Sequence, residues 1–179
     1  MDVDAFASQL LEEAKRFLER AVDASNSTAR DAYLHAALLL AFASLEAHLN
    51  SIADDFLVRG DLSVLDRSTL SERDFAMNDG KWIITERLRI YRIEDRLQHL
   101  QTTFSTVPFD GTISSWSQLK EGLILRNKLT HPKQVQPITA EQVRRAIEAI
   151  VHTLDNLYQA IYKRPLPAGL RGLSSTLDF

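Results

Sequence analysis

The sequence predicts an all-α protein, a bundle of about five helices around a long central second helix. Three observations predict it. Apolar residues recur at three- and four-residue steps through nearly every long segment. Gly and Pro number only 6 and 5 in 179 residues, so few breaks interrupt those patterns. The run Ala36-Ala37-Leu38-Leu39-Leu40-Ala41-Phe42-Ala43 is apolar on all sides, and such a helix has to be covered on all sides, by a bundle or by a second copy. The length suits one domain with a sizeable core. We expect a helical domain over residues 1–164 and a C-terminal tail over 165–179, mobile or docked on a neighbour.

Each element follows from local chemistry. From Asp4 to about Ala24, Phe6, Leu10, Leu11, Phe17, Leu18 and Val22 form one stripe, and Ser27 or Thr28 is placed to cap a second helix running to Arg59 and Gly60. Between Asp61 and Lys81 the pattern weakens; it predicts a short helix over Ser68–Ala76 and a turn at Asn78-Asp79-Gly80. Helical spacing resumes over Trp82–Phe104, through Ile83, Ile84, Leu88, Ile90, Ile93, Leu97 and Leu100. Thr106–Ser115, with Pro108 and Gly111, reads as a loop. A further helix spans about Ser114–Thr130 and stops where Pro132 disfavours helical geometry at His131. Thr139 with Gln142 three residues on predicts a capped start for the last helix, which continues to about Lys163.

Composition narrows the function classes. Cysteine is absent, which removes disulfides and thiolate metal sites and suits a reducing cytosol. The acidic start Met1-Asp2-Val3-Asp4 lacks the basic opening of a signal peptide, and the longest unbroken apolar run is eight residues where a bilayer needs about 20. We therefore expect a cytoplasmic protein with no membrane span and no cofactor. The net charge of −3 argues against a general nucleic-acid coat; any contact with nucleic acid has to be local.

The chemistry-bearing stretch is Leu125-Arg126-Asn127-Lys128-Leu129-Thr130-His131-Pro132. It sets a permanent cation, an amide and a titratable imidazole within six residues, groups that together suit metal-free cleavage of RNA. The bare spacing of Arg, four to six residues, then His recurs at Arg30/His35, Arg92/His99 and Arg145/His152, and chance alone supplies roughly one such pair. Context separates them. Arg92/His99 and Arg145/His152 read as mid-helix surface residues, and Arg30/His35 opens an apolar helix. Asn127 and His131, four apart, share a helix face; His131 stands at the fraying end; Lys128 and Lys133 add positive charge. Read structurally, His131 and Lys133 would simply satisfy the last carbonyls of the helix.

The segment Trp116-x2-Leu119-x6-Arg126-Asn127-x3-His131, just before the last long helix, resembles the signature of the HEPN superfamily, and Ala43–Ala53 resembles the long second helix of its RiboL-PSP-like branch. The resemblance spans roughly residues 4–163. It implies a HEPN-like helical bundle, a metal-independent endoribonuclease of the toxin or antiviral type, and a homodimer with two motifs at a shared cleft. Arg126, Asn127 and His131 map onto the catalytic motif, with Lys128 and Lys133 as substrate-binding cations and Glu46 supporting Arg126. An antitoxin or regulatory protein is the further partner implied. In toxins paired with a nucleotidyltransferase, a tyrosine stands two residues after the histidine; here that position is Lys133. The rival expectation is a catalytically inactive module of the same fold that binds RNA or a protein partner.

Overall fold

Asp2 opens the first helix by accepting the Ala5 amide at 2.8 Å, and α1 then runs Val3–Asp23. The computed structural model describes residues 2–134 and 136–179. A short link leads to α2, Ser27–Leu57, whose cap is Asn26 rather than Ser27 or Thr28: the Asn26 side chain accepts the Ala29 amide at 3.1 Å. The helix ends before Arg59 and Gly60. Among the described residues the class is all-α, with six α-helices and one small hairpin.

α2 is the centre of the packing, touched by α1 and by α3 (Val64–Ser71), α4 (Ile93–Phe104), α5 (Ser114–Thr130) and α6 (Ala140–Tyr162). By length and composition alone it would suit a bilayer crossing. In this fold its apolar face is enclosed instead: Leu34, Leu38, Leu45, Leu49 and Ile52 are each at most 1 % exposed. Covering is not complete on all sides, since Leu39 remains 39 % exposed. Alanines at 37, 41 and 53 keep the neighbouring helices close.

The region from 64 to 92 departs from the expected helices. A capping box of Ser63 and Asp66 starts α3 at Val64–Ser71, four residues before the expected Ser68, and left-handed Glu72 (φ 49°) ends it. Two antiparallel strands follow, β1 (Arg73–Asn78) and β2 (Lys81–Leu88), where a helix was expected from Trp82. The physical reason lies in the turn. Asp79 and Gly80 both adopt positive φ, 48° and 76°, the combination that a two-residue hairpin turn demands and that Gly meets without strain. The flanking Trp82-Ile83-Ile84-Thr85 is aromatic and β-branched, which suits extended backbone. Helix geometry resumes only at α4, Ile93–Phe104, then α5 (Ser114–Thr130) and α6 (Ala140–Tyr162). Thr139 and Gln142 form the reciprocal capping box at the start of α6.

The segment after α6 docks on α1 of its own chain. Leu166 is buried, Lys15 donates to the Ala168 carbonyl at 2.6 Å and to Glu12 at 2.9 Å, and the Ser175 amide donates to Glu19 at 2.9 Å. Phe179 stands edge-on to Phe17 at 5.4 Å. α1 is also tied to the core by polar contacts: the Tyr158 hydroxyl donates to Asp4 at 2.7 Å, and the buried His48 ring lies 3.3 Å from that hydroxyl and 3.5 Å from the Asp4 carboxylate.

Two outcomes are expected. Burial pushes His48 below the ordinary imidazole range, against the pull of Asp4, so the folded state keeps the ring neutral. The unfolded chain takes up that proton from about pH 6.5 downward, so stability present above that pH is lost as pH falls below it. Urea unfolding at a series of pH values should show this decline, and His48→Gln should reduce it, leaving the part that belongs to His99, which burial also lowers. Separately, a side chain at Gly122 would meet the Ala146 Cβ at 3.0 Å and the Phe42 ring at 3.2 Å. Gly122→Leu should push α5 off α2 and α6 and lower stability by roughly 1–3 kcal/mol in a thermal or urea melt.

Candidate functional site

The buried face of α5 carries Trp116, Leu119, Gly122 and Leu123. Arg126 follows Gly122 by one turn and so leaves the helix on the same side, toward α2. Its guanidinium lies over the Phe42 ring at 5.5 Å and donates to the Glu46 carboxylate at 3.4 Å. That contact is long for a charge-assisted bond. The Arg126 Nε is buried and has no hydrogen-bond partner among the described residues, so the group retains unused donor capacity.

Asn127, the next residue, and His131, the C-cap of α5, are exposed. The His131 amide donates to the Asn127 carbonyl at 2.9 Å and closes α5, after which the backbone leaves helical geometry (φ −131°, ψ 62°). The imidazole is exposed to solvent. Thr130 turns its hydroxyl back onto the Arg126 carbonyl at 3.2 Å. Lys128 donates to Gln136 at 3.2 Å, and Lys133 is exposed in the connection to α6.

Two adjoining cavities divide these groups. The larger, about 760 Å³, lies between α2, α4, α5 and the connection at 89–92, and Glu46 and Arg126 line it. The smaller, about 470 Å³, sits at the end of α5 and is lined by Lys128, His131 and Lys133. Asn127 and Ile124 border both. Within one chain, then, Arg126 and His131 do not share a cavity; they face neighbouring ones that meet at Asn127. The electrostatics differ as well. The larger cavity balances its cations with carboxylates, Arg92 with Glu94 at 2.8 Å and Arg96 with Glu72 at 3.0 Å. Among the described residues the smaller one is lined by two lysines and a histidine with no carboxylate. An anion meets least opposition there.

Arg96 lines the larger cavity, and spacing alone does not single it out. It is 3 % exposed and forks between Glu72 and the Asn50 side chain, at 3.0 and 2.8 Å. Burial pushes its guanidinium pKa down, with Glu72 and Glu46 opposing. The signal was present: Ile93, Arg96, Leu97 and Leu100 follow helical spacing, which sets a charge on an apolar face. Arg92 is also not a mid-helix residue; it precedes α4 as its N-cap and faces the larger cavity. Its spacing partner His99 lies instead against Asp66 at 3.4 Å. Among the described residues no three His, Asp or Glu side chains gather as a metal site would require.

The two arginines should separate in a stability measurement. Arg96→Ala strands the half-buried Glu72 and should cost roughly 3 kcal/mol. Arg126→Ala removes a long pair whose Glu46 side chain is 48 % exposed and should cost less than about 1 kcal/mol. Urea unfolding followed by circular dichroism reads both; a large loss for Arg126→Ala would make it a structural residue. Comparisons with protein-family models, curated proteins and solved structures find no match to this chain, and none identifies a HEPN domain.

Proposed function

We propose that the protein is a metal-independent endoribonuclease of the HEPN type, acting in the cytoplasm in a toxin or antiviral setting. One observation supports this above the others: the last turn of α5 presents Arg126 and His131 to two cavities that join at Asn127. A ribose-phosphate link lying across that junction meets a guanidinium on one side and an imidazole on the other.

The chemistry follows from those groups. His131, neutral, takes the proton of the 2′-hydroxyl as the 2′-oxygen bonds to phosphorus. The bond from phosphorus to the 5′-oxygen breaks, and a protonated imidazole returns a proton to that oxygen. Arg126 offsets the charge gathered on the phosphoryl oxygens with the end of its guanidinium now turned to Glu46. Asn127 orients the phosphate or the imidazole, and Lys128 and Lys133 draw the backbone in. The products are a 2′,3′-cyclic phosphate and a 5′-hydroxyl. A second copy related by two-fold symmetry supplies another imidazole and more positive charge, in a chain that is acidic overall. An antitoxin or other regulatory protein would restrain the activity.

A second reading has its own support. Arg126 is already engaged by Glu46, and His131 opens into the neighbouring space, which suits a non-catalytic module that binds RNA. Incubation with RNA in EDTA separates the two. The wild type should release cyclic-phosphate ends, and His131→Ala and Arg126→Ala should each slow this by about a hundredfold or more. Equal traces of cleavage in all three would overturn catalysis and leave the binding module.

A further inference from the structure

The hairpin of β1 and β2 is the part of the fold that neither the core nor the site accounts for. Among the described residues, α3 is the helix that packs against it. Met77, Trp82, Ile83 and Leu88 stand 42–68 % exposed on it, an apolar display that soluble surfaces rarely keep without a use. The register sets Met77 opposite Trp82 and Phe75 opposite Ile84, so these four side chains share one face.

Along that face the π-systems and one guanidinium are in series. Trp82 meets Phe75 edge to face at 5.6 Å. Arg89 then lies over Phe75 at 5.1 Å and over Tyr91 at 5.2 Å. Tyr91 is pinned by its hydroxyl to Ser68 at 2.7 Å, and it lines the same cavity as Arg126. A continuous stripe thus runs from the hairpin tip to the mouth of the proposed site. Arg89 is 45 % exposed, and its pair with Asp74 is long, at 3.4 Å.

We propose that this stripe, Trp82–Phe75–Arg89–Tyr91, is a stacking track for single-stranded RNA that feeds the strand toward Arg126; the proposal rests on the RNA reading above. Charge favours RNA over an apolar protein partner. On the hairpin and its exit, Lys81, Arg87 and Arg89 stand exposed beside the stripe, Arg87 at 83 % and Arg89 at 45 %, and their pairs with Asp74 are long, at 3.9 Å for Arg87 and 3.4 Å for Arg89, while Arg92 is met by Glu94. An exposed tryptophan followed by half-buried rings and an exposed guanidinium suits single strands, whose bases offer a π-face whatever the sequence. A duplex hides those faces.

The test uses the full chain with His131→Ala, so that RNA stays intact, and reads anisotropy of a fluorescein-labelled, unstructured RNA oligomer in EDTA. Trp82→Ala and Arg89→Ala should each weaken binding by about tenfold. Trp82→Phe, which keeps a ring, should hold binding within about twofold, and Ile83→Ser on the other hairpin face should leave it unchanged. Trp116 is buried, so quenching of exposed tryptophan emission by the same RNA should vanish with Trp82→Phe. Unchanged affinity in both alanine variants, or equal affinity for the duplex, overturns the track. So does a shift of Trp82→Ala from dimer to monomer in sedimentation with RNA binding intact, which would make the face a self-association surface. Stripe-dependent binding by a wild-type protein that cuts nothing in EDTA supports the track and sinks only the nuclease. Cleavage with stripe-independent binding does the reverse.

Discussion

The close approach of α5 to α2 is the constraint on which the rest depends. Phe42 on α2, Gly122 on α5 and Ala146 on α6 meet where a single added carbon would crowd all three. That closeness drops Arg126, one turn later, onto the Phe42 ring and beside Glu46. Dispersion and burial along α2 supply the energy; Gly122 supplies the distance. The polar arrangement at the end of α5 is therefore set by apolar packing a turn before it.

The same packing explains why two arginines in one cavity behave differently. Arg96 is enclosed, forked between Glu72 and Asn50, and has its charge met. Arg126 is held by one long contact, and among the described residues its buried Nε has no partner. A fully satisfied guanidinium defines a wall; an under-satisfied one is free to take a new anionic partner at little cost. His131 adds the other half, an exposed imidazole in a lysine-lined recess that has no carboxylate among the described residues.

Much of this was legible from residue order. The four long helices announce themselves because their apolar stripes persist over several turns, and Thr139 with Gln142 marks a boundary by chemistry alone. The hairpin was hidden by coincidence: Ile83, Ile84, Leu88, Ile90, Ile93 and Leu97 mimic helical steps across what are a strand, a connection and a helix. The Asp79-Gly80 pair between β-favouring runs was the competing signal, and backbone sterics at positive φ decided for it. Arg126, Asn127 and His131 stood out by spacing. Arg96 did not, because its partners Glu72 and Asn50 lie 24 and 46 residues away and no local pattern links them. The split between two cavities is likewise a tertiary fact, visible only once α2 and α4 are in place.

Lys15 gives the last segment a weight beyond its length. Its ammonium is fully enclosed, and of its two oxygen partners one is the carbonyl of Ala168. Pulling that strand of chain away would leave a cation in apolar surroundings with a single carboxylate for company, a state the helix tolerates poorly. Limited proteolysis near Arg164 would on this account loosen α1, so that a cut after the last helix is felt at the first.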